Sequence, residues 1–267
     1  MEAGVPYPSS QTLNDQPVMT EKLPALPGQM EFFDSHRQDA WWAGPLLTAA
    51  GLLAFIVYAS WAAFQGDNYR WGPYHSPFYS PLIVLDWWPL SPAFLIIWIP
   101  AGFRLTCYYF RKAYYRSLFL TPPACWVGAK PQNYRGERAW LVFQNLHRYF
   151  LYLALVVLGV HFYDLTQAFW FDGHFGVGGG SLVIMLDVAF LGAYIFGCNS
   201  LRHLVGGNVN CFSCASLGTQ RRQAWKITTM FNLHHRGWAW VSLIWVGLTD
   251  LYIRLLAMGL ITDIRFI

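Results

Sequence analysis

Five long apolar runs decide what this chain can fold into: residues 40–64, 81–103, 142–170, 183–205 and 235–260. Each holds at least 23 residues, and a helix crosses a hydrocarbon core in about 20. Lipid offers the backbone no hydrogen-bond partner, so helices are the form expected. Composition agrees, because only 12% of residues are charged while 55% are hydrophobic and 18% aromatic. A soluble enzyme, a disordered chain and a disulfide-stapled secreted domain are all excluded by that balance. The expectation is an all-α membrane protein with five transmembrane helices, kinked in the second by Pro89, Pro92 and Pro100. Residues 1–38 are polar and carry five prolines. They lack a signal-peptide pattern and read as a tail ordered by partner subunits, with residues 39–267 as the transmembrane domain.

An odd number of crossings puts the termini on opposite faces. The tail and the loops 104–141 and 204–234 then share one side. Of the 18 Lys and Arg, only Arg70, Arg254 and Arg265 fall on the other. The positive-inside rule therefore predicts a cytoplasmic N-terminus and a C-terminus across the membrane.

This topology also sorts the residues that can carry chemistry. His147 opens the third run, His203 closes the fourth, and His234 and His235 open the fifth. Cys198, Cys211 and Cys214 join them at the cytoplasmic end, with the pair Cys211-x-x-Cys214 in metal-ligand spacing. Three metal sites compete. A b-type haem needs two facing histidines, such as His147 with His203 or His235; a structural zinc suits Cys2His2. A Rieske-type [2Fe–2S] cluster uses two Cys on one iron and two His on the other. The Rieske assignment takes Cys211 and Cys214 with His203 and His235, keeping Cys198, His147 and His234 in reserve. Cys107 and Cys125 read as structural thiols in a reducing cytoplasm.

Arg202 and Arg236 flank these ligands and can stabilise a cluster or a quinone oxygen; anchoring helix ends to lipid headgroups is their plainer role. Tyr149, Tyr152, Trp238 and Trp240 are candidate quinone contacts, although an aromatic membrane belt accounts for them too. His161 lies 14 residues after His147 and so shares its helix face. Asp86, Asp164, Asp187 and Asp250 lie toward the far side. A transporter would show an internal repeat and mid-membrane polar groups. The short echo Asn145-Leu146-His147-Arg148 and Asn232-Leu233-His234-His235-Arg236 is the sole repetition seen. A structural anchor holding zinc or no metal stays open.

Several motifs occur in order: Cys107-Tyr108-Tyr109-Phe110-Arg111-Lys112-Ala113-Tyr114-Tyr115-Arg116, Pro122-Pro123-Ala124-Cys125, Gln144-Asn145-Leu146-His147-Arg148-Tyr149, Leu201-Arg202-His203-Leu204-Val205-Gly206-Gly207 and Thr249-Asp250-Leu251-Tyr252. Together they resemble the membrane-anchor (cytochrome b-like, C) subunit of an actinobacterial succinate dehydrogenase or fumarate reductase, respiratory complex II. The resemblance implies a multi-pass protein of the bacterial cytoplasmic membrane. It implies flavoprotein and iron–sulfur partners on the cytoplasmic face, holding FAD and further clusters, with quinone reduced in the anchor. Membrane lipid is the other expected partner, and nucleic acid is not one. Five-helix anchors of fumarate reductase hold two haems on four helix histidines. Here the first two runs contain no His, which favours a Cys/His cluster as the electron carrier.

Overall fold

The computed structural model describes residues 37–121, 127 and 140–266. One compact unit, residues 41–121 and 135–267, carries the fold. Four helices are long and apolar enough to cross a membrane. They lie in α1 (Ala43–Gln65), α4 (Trp140–Gln167), α5 (Gly179–Phe196) and α8 (His235–Ala257). Much of their apolar surface stays exposed, including Leu47, Val57, Val156 and Ile244. Such faces call for lipid or a protein partner to cover them.

The second apolar run departs from the expected continuous helix. After the hairpin β1 (Arg70–Trp71) and β2 (Tyr74–His75), the chain makes a 3-10 turn at Pro77–Tyr79. Residues 81–91 form an exposed loop, pinned at its base where Ser91 Oγ donates to Tyr79 Oη at 3.1 Å. The return begins with a second 3-10 turn, Pro92–Leu95, and finishes as the nine-residue α2 (Trp98–Thr106). Pro81, Pro89, Pro92 and Pro100 lack the amide donor that a continuous helix needs, which explains the break. This segment still travels the length of the bundle. Ser76 contacts Asp250 near one end of α8, whereas Cys107 contacts His235 at the other. Fifteen helical residues separate those levels, about 22 Å at 1.5 Å per residue.

Beyond α2 the chain continues as α3 (Tyr108–Leu118). After α5 come α6 (Asn199–Arg202), a π turn at His203–Gly207, and α7 (Gly218–Leu233). A second hairpin, β3 (Trp170–Phe171) with β4 (His174–Phe175), joins α4 to α5 at the end opposite α3 and α7.

That opposite end is closed by polar contacts. Asp250 accepts from Tyr58 Oη at 2.6 Å, from Arg254 Nε at 2.7 Å and from Ser76 Oγ. Arg254 also donates to the carbonyls of Asp67 and Ala62, at 2.8 and 2.9 Å. Asp263 accepts from Tyr74 and Tyr252, each at 2.7 Å, and from the Gly180 amide at 3.0 Å. Burial, the larger effect, and the Asp263 carboxylate push the Tyr74 phenol up to about 12, so it remains a donor. The Gly178-Gly179-Gly180 run permits this approach, because a Cβ on Gly180 would lie 2.2 Å from the Tyr74 ring. Gly180→Ala is expected to cost about 1–3 kcal/mol through overpacking. A thermal melt of the detergent-solubilised protein reads that loss.

Candidate functional site

At the other end, four side chains from four parts of the chain meet in the core. Cys107 occupies the break between α2 and α3, and Cys198 the break between α5 and α6. Both have extended backbone, with φ near −65° and ψ of 127° and 130°. The Cys107 carbonyl accepts from the Arg111 amide, and the Cys198 carbonyl from the Arg202 amide, each at 3.0 Å. Both thiols are buried. His147 comes from the first turns of α4, and His235 is the first residue of α8.

The contacts cross over. His147 Nε2 lies 3.2 Å from Cys198 Sγ, and His235 Nε2 lies 3.7 Å from Cys107 Sγ. His147 stacks on Phe103, four residues before Cys107, with ring centroids 4.6 Å apart. His235 stacks on Tyr194, four residues before Cys198, at 5.0 Å. Segments 103–111 and 194–202 are thus used in the same way. Each supplies an aromatic for one imidazole and a cysteine for the other.

Hydrogen bonds select the tautomer of His147. The Thr106 hydroxyl donates its proton to the Gly102 carbonyl at 2.7 Å, so it accepts from His147 Nδ1 at 2.9 Å. That leaves Nε2 with its lone pair directed at the sulfur, the arrangement in which imidazole serves as a metal ligand. His235 Nδ1 is buried with no hydrogen-bond partner among the described residues. Gly197 makes room for this ring, since a Cβ there would stand 3.2 Å from Nδ1. Arg104, also buried, lies over Tyr194 at 4.7 Å and donates to Ala239 O and Ser242 Oγ.

The structure separates the residues expected as ligands. Cys211 and Cys214 are disulfide-bonded to each other in the surface segment before α7. His203 is exposed beside Arg148, with Nδ1 3.4 Å from the guanidinium, and His234 is exposed as well. Of the primary four only His235 belongs to the buried group. Cys198 and His147 move in from reserve, and Cys107, read from sequence as a structural thiol, completes it. Cys125 lies outside the described residues. No three His, Cys, Asp or Glu side chains among the described residues converge as ligands for a single metal ion. The four residues instead stand as two sulfur–imidazole pairs.

The other predicted contacts are scattered. Tyr149, Tyr152 and Arg236 are exposed on the bundle surface. Arg202 donates to Thr229 Oγ1 at 2.8 Å and covers Trp225, fastening α6 to α7. Trp238 stacks with Phe190, and Trp240 Nε1 donates to Tyr109 Oη.

An apolar cavity of about 330 Å³ adjoins the Cys/His group. Phe103 and Tyr194, the two rings stacked on the imidazoles, both line it. Ile56, Ser60 and Ala101 are lining residues exposed on the surface, which sets a mouth between α1 and α2. Its polar members are Ser60, Arg104, Tyr194 and His161. His147 and His161 thus do share one face of α4, about 21 Å apart. One reaches the Cys/His group and the other lines the cavity.

The family model for the actinobacterial succinate dehydrogenase subunit SdhC matches residues 43–259. This chain belongs to that family. A chain in the structure described as the Mycobacterium smegmatis Sdh1 complex in the apo form is 37% identical, with a TM-score of 0.77. The match covers 90% of this chain and 96% of that one. No curated protein is matched. The chain is accordingly the multi-pass membrane anchor of a bacterial succinate dehydrogenase, whose catalysis on succinate resides on partner subunits.

Proposed function

We propose that this anchor carries electrons from the iron–sulfur partner to quinone through a Rieske-type [2Fe–2S] cluster held by Cys107, Cys198, His147 and His235. The observation that carries the reading is the gathering of two buried thiols and two imidazole Nε2 atoms at one place in the bundle, the donor set of such a cluster. A two-iron cluster of this kind asks two protein ligands of each iron, two sulfurs and two imidazoles in all. When bound, it supplies one-electron transfer at a potential raised by its histidine ligands.

A haem shared by His147 and His235 fits less well. The rings run in series, His147 on Phe103, Phe103 edge-on to Tyr194 at 5.5 Å, and Tyr194 on His235. Phe103 and Tyr194 occupy the space a macrocycle would need.

The chain's own residues perform the remaining tasks. Thr106 fixes the His147 tautomer, and the buried apolar surroundings exclude water. Phe103 and Tyr194 reach from the imidazoles to the cavity, which receives the quinone head group through its lipid-facing mouth. Arg104 and His161 are its hydrogen-bonding groups. In this reading the cation-rich end with α3 and α7 faces the cytoplasm. The chain crosses five times, four of them as continuous helices, so its N-terminus is cytoplasmic and its C-terminus lies across the membrane. FAD and the other clusters belong to the partner subunits.

Low-temperature EPR with iron and zinc analysis of the purified complex tests the cluster. The expected result is a reduced-state signal with low average g; zinc in its place, or a bis-histidine haem spectrum, overturns it. The quinone site has its own test. Ala101→Trp narrows the mouth and is expected to raise the quinone KM about 10-fold, the price of roughly 1.4 kcal/mol of lost binding. Succinate oxidation with a water-soluble acceptor should stay normal. An unchanged KM would remove the cavity from the mechanism.

A further inference from the structure

A second cavity, of about 480 Å³, opens at the end of the bundle opposite the Cys/His group. It lies between the two hairpins, lined by Arg70, Trp71 and His75 from the first and by Trp170 and Phe171 from the second. Asp164 of α4 also lines it. The charged and titratable groups facing that carboxylate across the cavity are Arg70, His75, Asp172, Arg265 and Tyr163. His75 is held below the ordinary histidine range, by burial first and then by Arg70, with Asp164 opposing.

One turn earlier on α4, His161 lines the apolar cavity described above. Its Nδ1 is 4.0 Å from Asp164 Oδ2. Both residues are largely removed from solvent, with side chains 10% and 14% exposed. The buried Ser80 hydroxyl donates to the same carboxylate oxygen and fixes its position. A single His–Asp pair thus separates an apolar chamber from a polar one, and each member reaches a different chamber.

We propose that His161 and Asp164 form a proton relay that feeds quinone reduction from the face opposite the Cys/His group. The proposal rests on the quinone reading of the apolar cavity. Reduction of a quinone to a quinol takes two electrons and two protons. The electrons come from succinate, oxidised on the partner subunit. For each proton, His161 donates Nε2–H to a quinone oxygen. Asp164 returns a proton to Nδ1 across the 4.0 Å gap through one water, and a tautomer shift of the ring restores the donor. Asp164 in turn takes its proton from the aqueous phase of the second cavity. Two such cycles complete the quinol and return both residues to their starting state. His161 is the catalytic member, and Asp164 acts through it.

The test uses the complete complex in proteoliposomes of known orientation, with a pH-sensitive dye trapped inside. Wild type is expected to consume protons from the compartment at the hairpin end. Asp164→Asn is expected to slow quinone reduction about 100-fold or more, the lower end of the 10²–10⁴ range of positioned proton transfer. Its quinone KM should be unchanged, and Asp164→Glu should restore the rate. Proton consumption solely from the compartment at the Cys/His end, or a wild-type rate in Asp164→Asn, overturns the relay. A higher quinone KM with unchanged maximal rate would assign Asp164 to binding and also overturn it. The quinone reading itself fails separately, through an unaltered KM in Ala101→Trp.

Discussion

Cys107→Ser is expected to stop electron delivery to quinone while succinate oxidation with a soluble acceptor continues. Its thiol is buried 3.7 Å from His235 Nε2, and the other free thiol among the described residues, Cys198, faces His147. Quinone reduction should fall about 100-fold or more, a loss that even an outer-sphere partner of a metal can cause. The membrane-intrinsic EPR signal should vanish with it. Serine keeps nearly the same volume, and its hydroxyl can bond to His235 Nε2, so the bundle should survive. Cys211→Ser with Cys214→Ser supplies the contrast. That pair sits in a surface segment and makes no contact with the four residues of the Cys/His group among those described, so the signal should persist. A signal lost in the double variant but kept in Cys107→Ser would return the ligand role to the Cys-x-x-Cys pair.

The second large effect concerns the far end of the bundle. Arg254 is 1% exposed and Asp250 fully buried. Asp250→Ala leaves the guanidinium without its carboxylate and strips the partner from Tyr58 and Ser76. Breaking a buried ion pair in this way costs about 3–5 kcal/mol, enough to unfold a marginal membrane domain. The expected readout is loss of assembled anchor after mild detergent extraction. Asp250→Leu combined with Arg254→Met removes both charges, and it should recover much of the stability. Failure of Asp250→Ala to lower the melting temperature would mean that the carboxylate holds nothing together.

Sequence periodicity located the helices well, because four of the apolar runs are long enough to satisfy their own backbone in lipid. The second run was misleading for a local reason. Its hydropathy resembles a helix, while Pro81, Pro89, Pro92 and Pro100 remove the donors that a continuous helix requires. Depth in the membrane was also legible, and it brought His147, His235 and Cys198 to one end. Identity of the partners was not. Cys211-x-x-Cys214 has the spacing of a ligand pair, but its residues find each other instead. Cys107 and Cys198 are 91 residues apart and share no short motif. The signal that would have paired them is an aromatic four residues before each cysteine and an arginine four after, Phe103–Cys107–Arg111 and Tyr194–Cys198–Arg202. The His echo noted in the sequence is the other half of that pattern. The cavity was invisible at that stage, since its walls come from six separate segments.

The crossed arrangement of the Cys/His group also dictates an order of biogenesis. As the ribosome delivers the chain, Cys107 emerges first, then His147, then Cys198; Cys107 and His147 each wait for a partner from a later segment. His235 arrives with the last membrane helix. No pair can close before residue 198 is inserted, and the set is incomplete until α8 has entered the bilayer. A nascent chain that stalls before that point still lacks His235, and Cys107 has no imidazole opposite it. Completion of the group thereby reports that threading through the membrane has finished.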